Sequence, residues 1–128
     1  MTQAFPDLEI YVKSATFIAI ENWLKQEFNS VERISENSKG QPSCHWKVDG
    51  HTVLAFGKAV NDFTSIWFKT NFTQWATDLD CAKACAAGLG LETRCSDGGW
   101  QESDDENPGW IQIKDGEMRP IAWPNANK

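Results

Sequence analysis

Nowhere in this chain do apolar residues run on long enough to cross a bilayer. The first stretch, Met1 to Lys13, has neither a basic cluster nor an apolar block, so it does not read as a secretion signal. Basic residues are in deficit: 12 Lys and Arg face 18 Asp and Glu, for a formal net charge of −6. Phosphate binding needs a basic footprint, so nucleic acid is excluded as a partner, and a cationic ligand or basic protein is favoured. Histidine is scarce, with two in 128 residues, and no serine–acid set accompanies either one at a recognisable elbow. The 4 cysteines, without a secretion signal, read as reduced thiols of a cytoplasmic protein rather than as a disulfide framework. The length suits one domain, spanning residues 1–128, with a sizeable core.

The clearest element is a helix opened by Thr77. Its hydroxyl can accept from the backbone two or three residues on, and Asp78 and Asp80 place negative charge at the positive end of the helix dipole. Leu79, Ala82, Ala86 and Leu89 form an apolar stripe, and Gly88 and Gly90 end it. Ile66-Trp67-Phe68 precedes it as a buried strand, and Leu91 to Cys95 follows with one wet face. Upstream, Leu8, Ile10 and Val12 alternate as a first strand. Phe17, Ile20, Leu24 and Phe28 mark a helix capped by Ser14 and ended by Asn29. Val31 to Ser35, Cys44 to Val48 and Thr52 to Phe56 read as three further strands. Glu36 to Pro42 and Gly57 to Asp62 read as connections. Asp49-Gly50 and Asp115-Gly116 are hairpin signals, the second joining Trp110–Lys114 to Glu117–Trp123.

The order is strand, helix, strand, strand, strand, used twice, over roughly residues 7–58 and 62–123. The expected class is therefore α+β: two βαβββ-like halves forming an antiparallel or mixed curved sheet with two helices. That order, with Ser65 to Gly90, Leu91-Glu92-Thr93-Arg94 and the hairpin Trp110 to Glu117, resembles the vicinal oxygen chelate superfamily, which includes glyoxalases and bleomycin-resistance proteins. The resemblance implies a curved sheet with a cleft. It does not carry the metal chemistry across. Asp7-Leu8-Glu9 and Phe63-Thr64-Ser65-Ile66 lack the histidines that the family's metalloenzymes place on these strands, and Glu117 alone stands near a ligand position. The implied member is metal-free, without a cofactor, and of the bleomycin-resistance type: small, acidic, often a homodimer, acting by sequestration.

Seven tryptophans are more than a core of this size needs. Trp23 and Trp67 are assigned to the core. Trp75, Trp100 and Trp110 sit in or beside loops, where they either line a site or fold back to cap the sheet. Tryptophan with nearby acid suits a flat cationic or aromatic ligand, or a protein interface. The expected ligand-binding set is Trp46, Trp67, Trp75, Trp100 and Trp110, with charge from Glu102, Asp104 and Asp105. That acid run lacks the spacing of a calcium loop. Cys44, Cys81, Cys85 and Cys95 read as small apolar side chains or as soft metal ligands, and Cys81, in the first turn of a helix, is the candidate reactive thiol. His45 and His51 flank the Asp49-Gly50 turn and are expected near each other. Asn71-Phe72-Thr73 is a formal glycosylation sequon. The leading expectation is non-enzymatic binding of a small molecule. The alternatives are a protein-interaction module, such as an immunity-type inhibitor of a basic toxin, and an enzyme of the oxygen-chelate kind.

Overall fold

The computed structural model describes residues 5–96 and 109–122. The class is α+β, with eight strands in one curved, fully antiparallel sheet and two helices. The elements follow the doubled order: β1 (Leu8–Lys13), α1 (Phe17–Glu27), β2 (Val31–Asn37), β3 (Ser43–Val48), β4 (His51–Val60), β5 (Phe63–Phe68), α2 (Asp78–Leu89), β6 (Thr93–Ser96), β7 (Gly109–Lys114) and β8 (Glu117–Ala122). In space the strands run β2-β3-β4-β5-β1-β6-β7-β8. The first strand is thus central. Leu8 pairs with Phe68 on one side, and Tyr11 pairs with Arg94 on the other.

Side chains alternate across a strand, so the registers assign every position to a face. Leu8, Ile10 and Val12 share one face with Ile66, Phe68, Val53, Ala55, Trp46 and Cys44. All of these are buried, and both helices pack on this side. The helices meet at Trp23, which stacks on Trp75 with ring centroids 5.6 Å apart and lies edge-on to Phe68. The other face carries Glu9, Tyr11, Leu54, Phe56, Trp67, Arg94 and Gln112.

The hairpin signals are met physically. Asp49 and Gly50 have φ of 48° and 86°, and Asp115 and Gly116 have φ of 54° and 79°. Positive φ at both central residues matches the turn to the strand twist. Thr77 caps α2, accepting from the Asp80 N–H at 3.2 Å, and Gly90 closes it in the left-handed region.

Several boundaries differ from the sequence reading. Thr16, not Ser14, caps α1, accepting from Ala19 N–H. Ser14 instead turns the chain at φ 54°, its N–H donating to the Asp62 carbonyl. β2 extends to Asn37 past a bulge between Arg33 and Ser35. β4 runs on to Val60, through an irregularity where Lys58 has φ 52°. The inner face of α2 is Cys81, Ala82 and Cys85, while Leu79, Ala86 and Leu89 are half-buried. The apolar stripe was displaced because small thiols, not the larger leucines, fit closest to the sheet.

Candidate functional site

The open sheet face gathers carboxylates and rings at the start of β1. Asp7 and Glu9 share it with Tyr11, since alternate residues of a strand point the same way. Trp67 lies opposite Glu9, and its indole Nε1 donates to Asp7 Oδ2 at 2.8 Å. The Tyr11 hydroxyl is hydrogen-bonded to Glu9, and its ring meets Trp110 edge-on at 5.6 Å. β6 pairs with β1 only at Tyr11 and Val12, which leaves the Glu9 N–H without a ladder partner. Asp78, the first residue of α2, fills that place: its Oδ1 accepts from Glu9 N–H at 3.0 Å. A helix start and a strand edge thereby bring a third carboxylate to the first two.

None of the three acids makes an ion pair among the described residues. The electrostatics follow. Partial burial, with Asp7 and Glu9 nearby, pushes Asp78 up to about 6, although the Glu9 N–H opposes the shift. Partial desolvation and Asp7 raise Glu9 against the opposing bond from Tyr11. Tyr11 itself is pushed up to about 12 by burial and by Glu9. Each shift records burial first and the neighbouring negative charge second.

Two other carboxylates, Glu21 and Glu92, are matched. Glu21 on α1 accepts from Trp46 Nε1 at 2.9 Å and from Arg33 Nε at 2.8 Å. Burial works against its ionised form, but these bonds hold its carboxyl below the usual range. Glu92 accepts from Gln112 and Arg94 and is lowered in the same way, and Arg94 also lies over the Phe63 ring.

The expected tryptophan set divides. Trp67 and Trp110 stand half-buried on the open face, so Trp67 is not the core residue expected from its apolar neighbours Ile66 and Phe68. Trp46 is fully buried on the helix side, because it alternates with buried Cys44 and Val48 and ties α1 to the sheet through Glu21. Trp75 is also core, stacked on Trp23, its segment pinned by Asn71, whose side-chain amide donates to the Phe5 and Trp75 carbonyls. Neither can line an open site. Those two bonds also give the formal sequon at Asn71 a structural occupation. Trp100, Glu102, Asp104 and Asp105 lie outside the described residues.

All four cysteines are free and buried. Burial raises the Cys44, Cys81 and Cys85 thiols, which removes Cys81 as a reactive thiol: its helix turn faces the core, beside Cys85 and Cys95. His45 and His51 are on opposite faces. His51 pairs with Val48 and stacks on Phe72 at 4.4 Å, whereas His45 pairs with Leu54 on the open side. Among the described residues no group of three or more His, Cys, Asp or Glu is arranged to hold a metal. Glu117 is exposed and paired with Arg119. No helix of the described residues is long and apolar enough to cross a membrane.

A cleft of about 870 Å³ does exist, but between α2 and the β7–β8 hairpin, and none of the described tryptophans lines it. The acids missed in the sequence were legible only in part. Asp7 and Glu9 are the wet positions of the first strand, but nothing local joins them to Asp78, 69 positions from Glu9. No family model, curated protein or solved structure matches the chain.

Proposed function

We propose that this is a non-enzymatic interaction module that receives a basic segment of a partner protein on its open sheet face. The observation that carries the reading is the convergence of Asp7, Glu9 and Asp78, without a cation among the described residues, beside the Trp67, Tyr11 and Trp110 rings. An arginine or lysine side chain there would meet carboxylates through charge and the rings through cation–π attraction, worth about 0.5–2 kcal/mol per ring contact. Placement on a broad sheet face, rather than in the cleft behind it, favours an extended protein segment over a small enclosed ligand. An immunity-type inhibitor of a basic toxin has this chemistry. Four free, buried thiols suit a reducing compartment, and the cytoplasm is the one assigned.

The test is titration with a short arginine-rich peptide and, separately, with benzyltrimethylammonium, followed by tryptophan fluorescence. The peptide binds the wild type, and Asp7→Asn with Glu9→Gln weakens it at least about tenfold, a loss of roughly 1.4 kcal/mol. Peptide affinity unchanged in that variant overturns the reading. Tight binding of the small cation alone returns the site to small-molecule sequestration.

A further inference from the structure

The second candidate lies on the helix side. α2 packs over β1, β6 and β7 and ends at Leu89, whereas β8 lies one strand further out. The apolar face of the last hairpin therefore forms the floor of the 870 Å³ cleft. Ile113 and Met118 are cross-strand partners on that floor, and Ala86 and Leu91 form the wall. Met118 is 52% exposed, one of three large apolar side chains so exposed among the described residues. The volume and apolar floor are those of a small-molecule site, for which about 300–1,000 Å³ is usual.

Charge selects the ligand. Lys13, Lys83 and Lys114 line the cleft, and none forms a salt bridge among the described residues. Three acids also line it. Glu92 is taken by Arg94 and Gln112, and Glu117 by Arg119, which leaves Asp115 as the one uncompensated acid. A chain of net charge −6 thus gathers three ammonium groups around an apolar cleft, Lys83 and Lys114 without an ion pair among the described residues and Lys13 near enough to Glu92 to help lower its carboxyl. We infer that this cleft binds an amphipathic anion, its apolar chain over Ile113 and Met118 and its anionic head among Lys13, Lys83 and Lys114. The lysine stems are flexible enough to follow the head while covering the chain. Lys13 and Lys114 fall by register on the side of Tyr11 and Gln112 and meet the cleft at its rim, but the site has no residue in common with the Asp7, Glu9 and Asp78 cluster, and either reading can fail without the other.

The chain has two methionines, so methyl-¹³C-methionine labelling gives two signals, with Met118 in the cleft and Met1 as the reference. Met118→Leu assigns them. The labelled protein is titrated below the micelle concentration with dodecanoate, dodecyl phosphate, dodecanol and dodecyltrimethylammonium. Dodecanoate is expected to shift the Met118 signal saturably, leave Met1 in place and raise the melting temperature. Lys83→Glu with Lys114→Glu, both at exposed positions, weakens binding roughly tenfold while the dispersion of the spectrum is kept. Dodecyl phosphate acting like dodecanoate extends the site to anionic heads generally. The inference is overturned if the ammonium amphiphile or dodecanol shifts Met118 as strongly, if both methionines move together, if the double variant binds dodecanoate unchanged, or if Met118 does not respond.

Discussion

Gly88→Ala should destabilise this protein, against the ordinary expectation for a helix. Within an exposed helix the change gains up to about 1 kcal/mol, because alanine gives up less backbone freedom than glycine on folding. Here the new Cβ would lie 2.4 Å from Trp23 Cδ1 and 2.7 Å from its Nε1. Trp23 is 1% exposed and held between Trp75 and Phe68, so its ring has no direction in which to yield. Overpacking of this kind costs about 1–3 kcal/mol, and so close a contact belongs at the upper end. The balance is a loss of roughly 1–2 kcal/mol once the helix gain of about 1 kcal/mol is subtracted. For a domain of this size that lowers the melting temperature by several degrees. Urea unfolding followed by tryptophan fluorescence should show a lower midpoint at unchanged slope. The second arm is Trp23→Phe, whose smaller ring can shift into the space vacated by the six-membered part of the indole and which removes an indole Nε1 that is buried without a hydrogen-bond partner among the described residues. In that background Gly88→Ala should be neutral or stabilising, and the non-additivity should be about 1–3 kcal/mol. A wild-type background in which Gly88→Ala raises stability by the full helix increment would refute the packing argument.

Other predictions follow from the charges and the thiols. Asp78 has a folded pKa above its unfolded value, so its contribution is most favourable in acid and is lost as pH rises through about 6. Asp78→Asn, which can still accept from Glu9 N–H, should therefore stabilise the protein at pH 7–8 by at most about 2 kcal/mol after solvent screening, and flatten its stability between pH 4 and 7. If the open face takes a cation, peptide affinity should rise from pH 5 to 7.5 as Asp78 ionises, and an affinity that falls over this range would contradict the assignment. Glu21 is the opposite case: its folded pKa is lowered, so its stabilisation is present above the ordinary carboxylate range and disappears as pH falls through the folded value. Glu21→Ala should cost about 1–3 kcal/mol at neutral pH in chemical unfolding, because Trp46 Nε1 loses its acceptor in the core and Arg33 loses a partner. The four thiols should be inert to a disulfide reagent in the native protein and react together on unfolding; rapid labelling of Cys81 alone would contradict its burial.

The readable parts of this fold were those encoded within a few residues. Thr77 and Gly90 delimit α2 because a cap and a left-handed glycine act on their own backbone neighbours. The start of α1 was less clear, since Ser14 and Thr16 are both acceptable caps and only the Ser14–Asp62 contact decides between them. The fate of each tryptophan depended on faces. Trp46 could have been placed in the core from the alternation Cys44, Trp46, Val48. Trp67 could not be placed, because β5 is buried on both sides over most of its length and shows no period. Trp75 is buried by contacts with Trp23, far away in the chain. The acidic site was hidden for the same reason: Glu9 and Asp78 meet across a gap in a ladder that no local pattern describes.

The central position of the first strand has a consequence for synthesis. β1 leaves the ribosome before β5 and β6 exist, so neither of its sheet neighbours can yet cover the edges of Leu8, Ile10 and Val12. At about 5–20 residues per second, the stretch from Lys13 to Phe63 takes roughly 3–10 s to make. For that time the middle of the future sheet is an exposed apolar ribbon with two free edges, while β2, β3 and β4 can already pair in sequence. The nascent chain therefore passes through a three-stranded meander that has no centre, and the final sheet closes only when β5 arrives to seat β1. A chaperone that holds β1 during this interval would change the yield of native protein without touching its stability.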